Sequence, residues 1–208
     1  MASSRSDRRS FLQGLIVTVA ATTGMVGCDD ETDGEDEDVS YDPADQARVY
    51  PHGIASGDPK PDSVILWTRV EPEGEAGPIA VSFEVAETED FERIIASGEV
   101  QAESAYDFTV RVKPTGLIAY KEYFYRFKAR GVGTIPGRTK TAPTPDRGVS
   151  PRFAFVSCQD FIGRYYHSYQ VLADEGEPLD FVLHLGDYIY ETNGDPDFQQ
   201  VAPDRAID

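Results

Sequence analysis

The sequence predicts two folded regions of different class: an antiparallel β-sandwich over residues 46–145, and the beginning of an α/β domain over residues 151–208. Short β-branched or aromatic runs, separated by Gly- and Pro-rich turns, indicate the sandwich. Two continuous apolar runs on either side of a segment with helical spacing indicate the α/β region. A Pro- and Gly-containing linker, residues 141–151, separates the two patterns.

Composition and charge exclude one class of function. The chain has 208 residues, with 37 acidic against 19 basic residues and a net charge of -18. Binding to nucleic acid through phosphate neutralisation needs clustered Lys and Arg, so no nucleic-acid-binding surface is expected. The two cysteines, Cys28 and Cys158, are too few for a disulfide-stapled scaffold.

Residues 1–28 have the features of an export signal. Arg8 and Arg9 precede a Phe-Leu pair, and an apolar stretch follows that is short for a membrane span. The segment "DRRSFLQ" resembles the twin-arginine export motif, although Asp7 and Gln13 replace its outer residues. We therefore expect export of the folded protein by the twin-arginine translocase.

The signal ends in "MVGC", which resembles a bacterial lipobox with Cys28 as the acylated residue. On this interpretation a lipid on Cys28 anchors the protein to the membrane of the cell envelope. The alternative is a plain signal peptide with an incidental cysteine and a periplasmic or extracellular product. Residues 29–45 follow; they are acidic and nearly free of large apolar side chains, which predicts a disordered tether.

Alternation defines the predicted sandwich. Phe108, Val110 and Val112 share one face of a strand, and Tyr123, Tyr125 and Phe127 share one face of another. The segment "LIAYKEY" resembles a fibronectin-type pattern in which Tyr123 forms a tyrosine corner, its hydroxyl bonded to nearby backbone. We expect Trp67 in the core, and His52 in a strand with no ligand role.

Cys158 and Asp187 each stand where an apolar run of the α/β region ends. The helical segment between the runs makes a β-α-β unit, whose two strands should be parallel neighbours ending at one sheet edge. Tyr190 follows Asp187 by three residues, so thiol, carboxylate and phenol could bind one metal ion. The alternative is that Cys158 is a small buried filler and Gly186-Asp187 an ordinary turn. His167 falls inside the predicted helix and is not proposed as a ligand.

Three blocks in order, "HGIASGDPKPDSVILWTRV", "FAFVSCQD" and "HLGDYIYE", resemble the alkaline phosphatase D family over roughly residues 48–195. The resemblance implies an immunoglobulin/fibronectin-like sandwich followed by a calcineurin-like metallophosphatase domain. It implies hydrolysis of phosphate monoesters and diesters with Fe³⁺ and Ca²⁺ as cofactors. By motif, Cys158 corresponds to an iron ligand, Asp187 to the bridging carboxylate and Tyr190 to a phenolate ligand, with no catalytic residue beyond these ligands.

The resemblance also implies ligand blocks that do not occur in these 208 residues. We therefore expect an incomplete metallophosphatase domain and no activity from this chain alone. An alternative of another class is a surface-displayed β-sandwich lipoprotein that binds a partner or glycan. A third is a purple acid phosphatase relative, which should carry D-x-G where this chain has "SCQ".

Overall fold

A computed structural model describes residues 17–20, 39–74, 77–162, 165–174 and 179–190. The chain divides into two compact units, Met1–Arg147 and Gly148–Asp208, in agreement with the linker that the sequence indicates.

The first unit is a β-sandwich of two sheets. One sheet has four strands in the order β1-β6-β3-β2: Val17–Ala20, Thr109–Thr115, Ile65–Arg69 and Ile54–Gly57. Strands β6, β3 and β2 pair antiparallel, whereas β1 pairs with β6 in parallel. The second sheet contains β5 (Ile94–Ala102), β4 (Ile79–Ala86) and β7 (Glu122–Ala129), and the far edge of β7 pairs with β8 (Val132–Gly133) and β9 (Gly137–Lys140).

Period-two alternation builds the core between the sheets. In β6 and β7 the inward residues are buried and their neighbours are not, which is the pattern that the sequence predicts. The fully buried large side chains of these strands include Phe83, Leu66, Val112, Tyr123 and Phe127. The all-β sandwich is thus confirmed, and its core lies within the first unit.

The predicted tyrosine corner is present. Tyr123 is 1% exposed, and its hydroxyl oxygen accepts a hydrogen bond of 2.8 Å from the backbone N–H of Ile118. The bond fixes the turn before β7 to the strand's own side chain, which is the structural role that the sequence predicts.

Two predictions about single residues of this unit were wrong. In β3, Leu66 and Thr68 point inward and are buried, so Trp67 lies on the outer face and is only half-buried. Neighbouring residues of a strand point to opposite faces, and an apolar run with Leu and Trp adjacent can bury only one of them. His52 is exposed in the turn before β2 rather than in a strand.

A bridge and a helix lie at the N-terminal side of the predicted sandwich, partly within residues 29–45. Ser40 pairs with Val132, and helix α1 spans Pro43–Val49 with Asp42 as its N-cap. The Asp42 carboxylate accepts a 2.8 Å hydrogen bond from the N–H of Ala44, so the acidic character of this stretch serves a helix start. The tether before residue 39 and the signal lie outside the described residues, apart from β1.

No helix among the described residues is long and apolar enough to cross a membrane. Arg8, Arg9 and Cys28 are not among those residues, so the predictions about export and lipidation are not addressed by the fold.

The second unit contains the predicted β-α-β order. Strand β10 (Phe153–Val156) pairs in parallel with β11 (Phe181–His184), and helix α2 (His167–Asp174) lies between them in sequence. The strands were expected to be buried, yet Phe155 is 68% exposed, and the Phe153 and Phe181 rings stack on each other at 5.1 Å. No other strand in the described part of this unit pairs with these two, and helix α2 has no buried residue, so the apolar faces of the pair are largely exposed.

Candidate metal centre

Backbone pairing between the two segments continues past the ends of β10 and β11. The N–H of Leu185 donates to the carbonyl oxygen of Val156 at 2.8 Å. The N–H of Cys158 donates to the carbonyl oxygen of Gly186 at 3.3 Å. The N–H of Gln159 then donates to the carbonyl oxygen of Asp187 at 3.1 Å. These bonds keep the two chain segments side by side where the predicted ligands begin.

The same pairing returns Tyr190 to this edge. Its N–H donates to the carbonyl oxygen of Gln159 at 2.6 Å, and its own carbonyl oxygen accepts from the N–H of Phe161 at 3.1 Å. Asp160 and Tyr190 form an isolated parallel bridge. The backbone of the tyrosine is therefore fixed at both its donor and its acceptor.

The side chains of Cys158, Asp187 and Tyr190 meet. The thiol of Cys158 donates to Oδ2 of Asp187 with a sulfur–oxygen distance of 3.6 Å. The phenol of Tyr190 is hydrogen-bonded to the Asp187 carboxylate and to the Cys158 side chain, and the bond to Asp187 is the largest cause of a pKa raised above the usual value for tyrosine. Desolvation and the neighbouring negative charges act in the same direction.

Unusual backbone conformations produce this convergence. Cys158 and Asp187 have φ of +60° and +49°, in the left-handed region that side chains other than glycine seldom adopt, and Gly186 has φ of +117°. Left-handed residues turn the chain sharply directly after each strand. The turns bring a thiol and a carboxylate to the same point, although such conformations cost free energy wherever they occur.

The donor set fits a metal cation. No group of three His, Cys, Asp or Glu side chains converges within the described ranges, because the third donor here is a phenol. Thiolate, carboxylate and phenolate are all anionic when deprotonated, and a cation at their centre would replace the protons that they now share. Sulfur and phenolate donors together suit a transition metal better than magnesium.

Two further residues at this edge had no role in the sequence interpretation. Asp160 follows Cys158 by two positions and is only 6% exposed, which is unusual for a carboxylate. His184 ends β11 and hydrogen-bonds the turn that carries Asp187. An acidic residue close behind the cysteine and a histidine two residues before a glycine were the signals available in "SCQD" and "HLGD".

Comparison with known proteins bears on both units. The family model described as PhoD-like phosphatase, N-terminal domain, matches residues 37–143, and the model described as PhoD-like phosphatase matches residues 153–207. The chain belongs to the PhoD-like phosphatase family. Each unit of the fold therefore contains the residues that match one of these two models.

A relative and a solved structure agree with this assignment. Alkaline phosphatase D of Bacillus subtilis (strain 168) is 38% identical over 200 residues, which is 89% of this chain and 32% of the relative. A structure titled "Structure of PhoD" matches with a TM-score of 0.65 and 41% identity, covering 69% of this chain and 28% of that one. The chain thus spans about a third of the length of the PhoD-like relative that it matches.

Proposed function

We propose that this PhoD-like chain is part of a metal-dependent phosphoester hydrolase, with its metal centre at the ends of β10 and β11. One observation carries the proposal: three potential anionic donors, on Cys158, Asp187 and Tyr190, converge from two neighbouring strand ends. The substrate class that we propose, phosphate esters, follows from the family and from the name of the Bacillus relative, alkaline phosphatase D.

Each side chain has a separate role in this proposal. Asp187 has two carboxylate oxygens and could hold two cations at once, whereas Cys158 and Tyr190 would each hold one. Ferric iron is the proposed partner of the thiolate and phenolate, and calcium, which prefers oxygen ligands, the proposed second ion. Bound cations would supply positive charge for the phosphoryl transition state and would acidify water. The three side chains would hold and orient the cations. The backbone hydrogen bonds of Gly186 and Gln159 would fix the spacing between these ligands.

Three protein donors are half of the about six that an octahedral ion takes. We therefore propose that residues 1–208 alone bind iron weakly and do not turn over a phosphoester. Further donors would have to come from sequence equivalent to the part of the Bacillus relative that lies outside the match.

Cell location forms a second part of the proposal and rests on sequence alone. We infer export by the twin-arginine translocase through Arg8 and Arg9, and attachment to the membrane through a lipid on Cys28. A phosphatase in this location would act outside the cytoplasm.

The test of the metal centre is a colour measurement on the purified chain titrated with Fe³⁺. A phenolate bound to iron should give a visible charge-transfer absorption, and Tyr190→Phe should abolish it because the ring stays while the donor oxygen is lost. Tyr188→Phe is the matched control, since Tyr188 is 71% exposed and is not one of the three donors.

The colours of the Tyr190→Phe and Tyr188→Phe variants decide whether Tyr190 is the phenolate ligand. Colour that persists in Tyr190→Phe, or that disappears equally in Tyr188→Phe, would contradict the assignment of Tyr190 as the phenolate ligand. A chain extended with sequence equivalent to the unmatched part of the Bacillus relative should hydrolyse a phosphodiester in the presence of iron and calcium. Its Cys158→Ser and Asp187→Asn variants should lose that activity.

A further inference from the structure

His184 contacts both residues that flank Asp187. Its Nδ1 accepts a 3.3 Å hydrogen bond from the backbone N–H of Gly186, the residue before Asp187. Its ring lies against that of Tyr188, the residue after Asp187, with ring centres 4.9 Å apart and planes inclined by 53°. One imidazole therefore holds the chain on each side of the proposed bridging carboxylate.

Asp187 has a backbone conformation that needs such support. Its φ of +49° is left-handed, and it follows a glycine whose φ of +117° is outside the range of ordinary residues. Conformations of this kind persist only where the surrounding contacts determine them. The carbonyl oxygens of Gly186 and Asp187 are held by hydrogen bonds from the N–H groups of Cys158 and Gln159. His184 adds the hydrogen bond to the Gly186 N–H and the ring contact with Tyr188.

The hydrogen bond also identifies the tautomer of the imidazole. Since Nδ1 accepts, it carries no hydrogen, and the ring hydrogen of the neutral side chain is on Nε2. Nε2 is buried and makes no hydrogen bond to any residue in the described part of the chain.

The turn also connects the two strand ends. Gly186 donates its N–H to His184 and accepts at its carbonyl oxygen from the N–H of Cys158. A shift of this peptide would move Asp187 and Cys158 relative to each other. Cys158 Sγ and Asp187 Oδ2 are 3.6 Å apart. A metal ion bound by both side chains would depend on this distance.

We propose that His184 is a positioning residue of the metal centre: as the Nε2–H tautomer, it holds Gly186 and Tyr188 so that the Asp187 carboxylate faces Cys158 and Tyr190. The role in metal binding rests on the proposed function, whereas the contacts of His184 are present without any metal. Because His184 acts through the turn, its loss should loosen metal binding without removing a ligand.

Two substitutions separate the contacts of His184. His184→Asn keeps an acceptor oxygen near the position of Nδ1 and loses the ring, whereas His184→Phe keeps the ring against Tyr188 and loses the acceptor. His167→Phe, in helix α2 of the same unit, is the matched control for replacing a histidine with phenylalanine.

The first measurement uses the metal-free chain and nuclear magnetic resonance. The ¹⁵N shifts of the neutral His184 ring should show its hydrogen on Nε2 rather than on Nδ1, and the Gly186 amide should exchange slowly. Exchange of this amide should quicken about tenfold or more in His184→Phe and stay near the native rate in His184→Asn and His167→Phe. A hydrogen on Nδ1 of the neutral ring, or an unchanged rate in His184→Phe, would overturn the proposal.

The second measurement is the affinity for Fe³⁺, followed by the charge-transfer absorption. Partners that orient metal ligands typically change affinity by about 10- to 100-fold when they are replaced, so His184→Phe should bind that much more weakly. His184→Asn should restore most of the affinity. Equal affinity of the native and His184→Phe chains would refute the positioning role. Failure of the native chain to bind iron would instead count against the proposed function, and the exchange measurement would still decide the role of His184.

Discussion

At the scale of single residues, two buried hydroxyls close the turn that precedes β7. The hydroxyl of Tyr123 accepts from the N–H of Ile118, while Thr141 Oγ1 donates to the Ile118 carbonyl oxygen at 2.6 Å and accepts from the N–H of Lys121 at 3.0 Å. Both side chains are almost completely buried. The turn also contains Tyr120 with φ of +55°, and these side-chain hydrogen bonds add to the backbone bonds from Tyr120 to Ala142 and from Thr141 to Lys121.

Removing one of these hydroxyls should lower the stability of the sandwich. Tyr123→Phe leaves the ring in the core but leaves the Ile118 N–H without its acceptor, which should cost about 1–3 kcal/mol of unfolding free energy. Equilibrium urea unfolding measures this cost. Tyr106→Phe is the control, because Tyr106 is exposed and its change should be close to zero. Equal midpoints for the two variants would argue against the corner.

At the scale of secondary-structure elements, a charged cluster joins β4 to β7. The carboxylate of Glu84 accepts from Arg126 Nε at 2.6 Å and from Lys128 Nζ at 2.9 Å. The guanidinium of Arg126 also lies 4.1 Å from the ring centre of Phe91. Residues 84 and 126 are direct partners across the two strands, so this cluster reinforces the register that the core already requires.

The stability contributed by this cluster should depend on pH. Partial burial raises the pKa of Glu84, but the hydrogen bonds from Lys128 and Arg126 outweigh it, and the net pKa lies below the usual value for glutamate. A lowered folded-state pKa gives a contribution that is complete above the unfolded value of about 4.3 and disappears as the pH falls through the folded value.

Glu84→Gln should therefore destabilise the sandwich by about 1–2 kcal/mol at pH 7, and by progressively less below about pH 4. Urea unfolding of the native and variant chains across this range measures the difference. Glu122→Gln is a suitable control, since the Glu122–Arg138 pair is 3.6 Å apart and largely exposed. A difference that stayed constant down to low pH would show that the Glu84 charge is not responsible.

Sequence pattern predicted most of both units, and the exceptions have physical causes. Alternation assigned the faces of β6 and β7 correctly because both faces of those strands differ clearly in polarity. Alternation did not identify the face on which Trp67 lies, because Leu66 and Trp67 are both apolar. The pairing of β3 with β6 decides that Leu66 is the buried one. Helix α1 was missed because acidic composition outweighed the Asp42-Pro43 start signal.

The candidate site was predictable for a similar reason. Parallel neighbours end at one edge of a sheet, so the order of the segments was sufficient to place Cys158 beside Asp187. The contribution of His184 was not predictable, since it depends on the left-handed turn at Gly186 and Asp187, and sequence does not specify those dihedral angles.

At the scale of the whole molecule, membrane attachment has a direct test. If Cys28 carries a lipid, Cys28→Ser should move most of the protein from the membrane fraction to the soluble fraction, because a chain of net charge -18 has little attraction to anionic lipid. Cys158→Ser removes the other cysteine and should leave the distribution unchanged. Immunoblots of fractionated cells measure both, and unchanged partitioning of Cys28→Ser would exclude the anchor.

The pairing of Ser40 with the sandwich would then limit how far the sandwich can lie from the bilayer. The N–H of Ser40 donates to the Gly131 carbonyl oxygen at 2.8 Å, and the Ser40 carbonyl oxygen accepts from the N–H of Gly133 at 2.9 Å, so the polypeptide is fastened to the folded domain at this residue. Twelve positions separate Ser40 from Cys28, and a chain of that length reaches at most about 40 Å. Acylation would thus keep the sandwich close to the membrane surface, and the proposed hydrolase would meet mainly the phosphoesters that come near that surface.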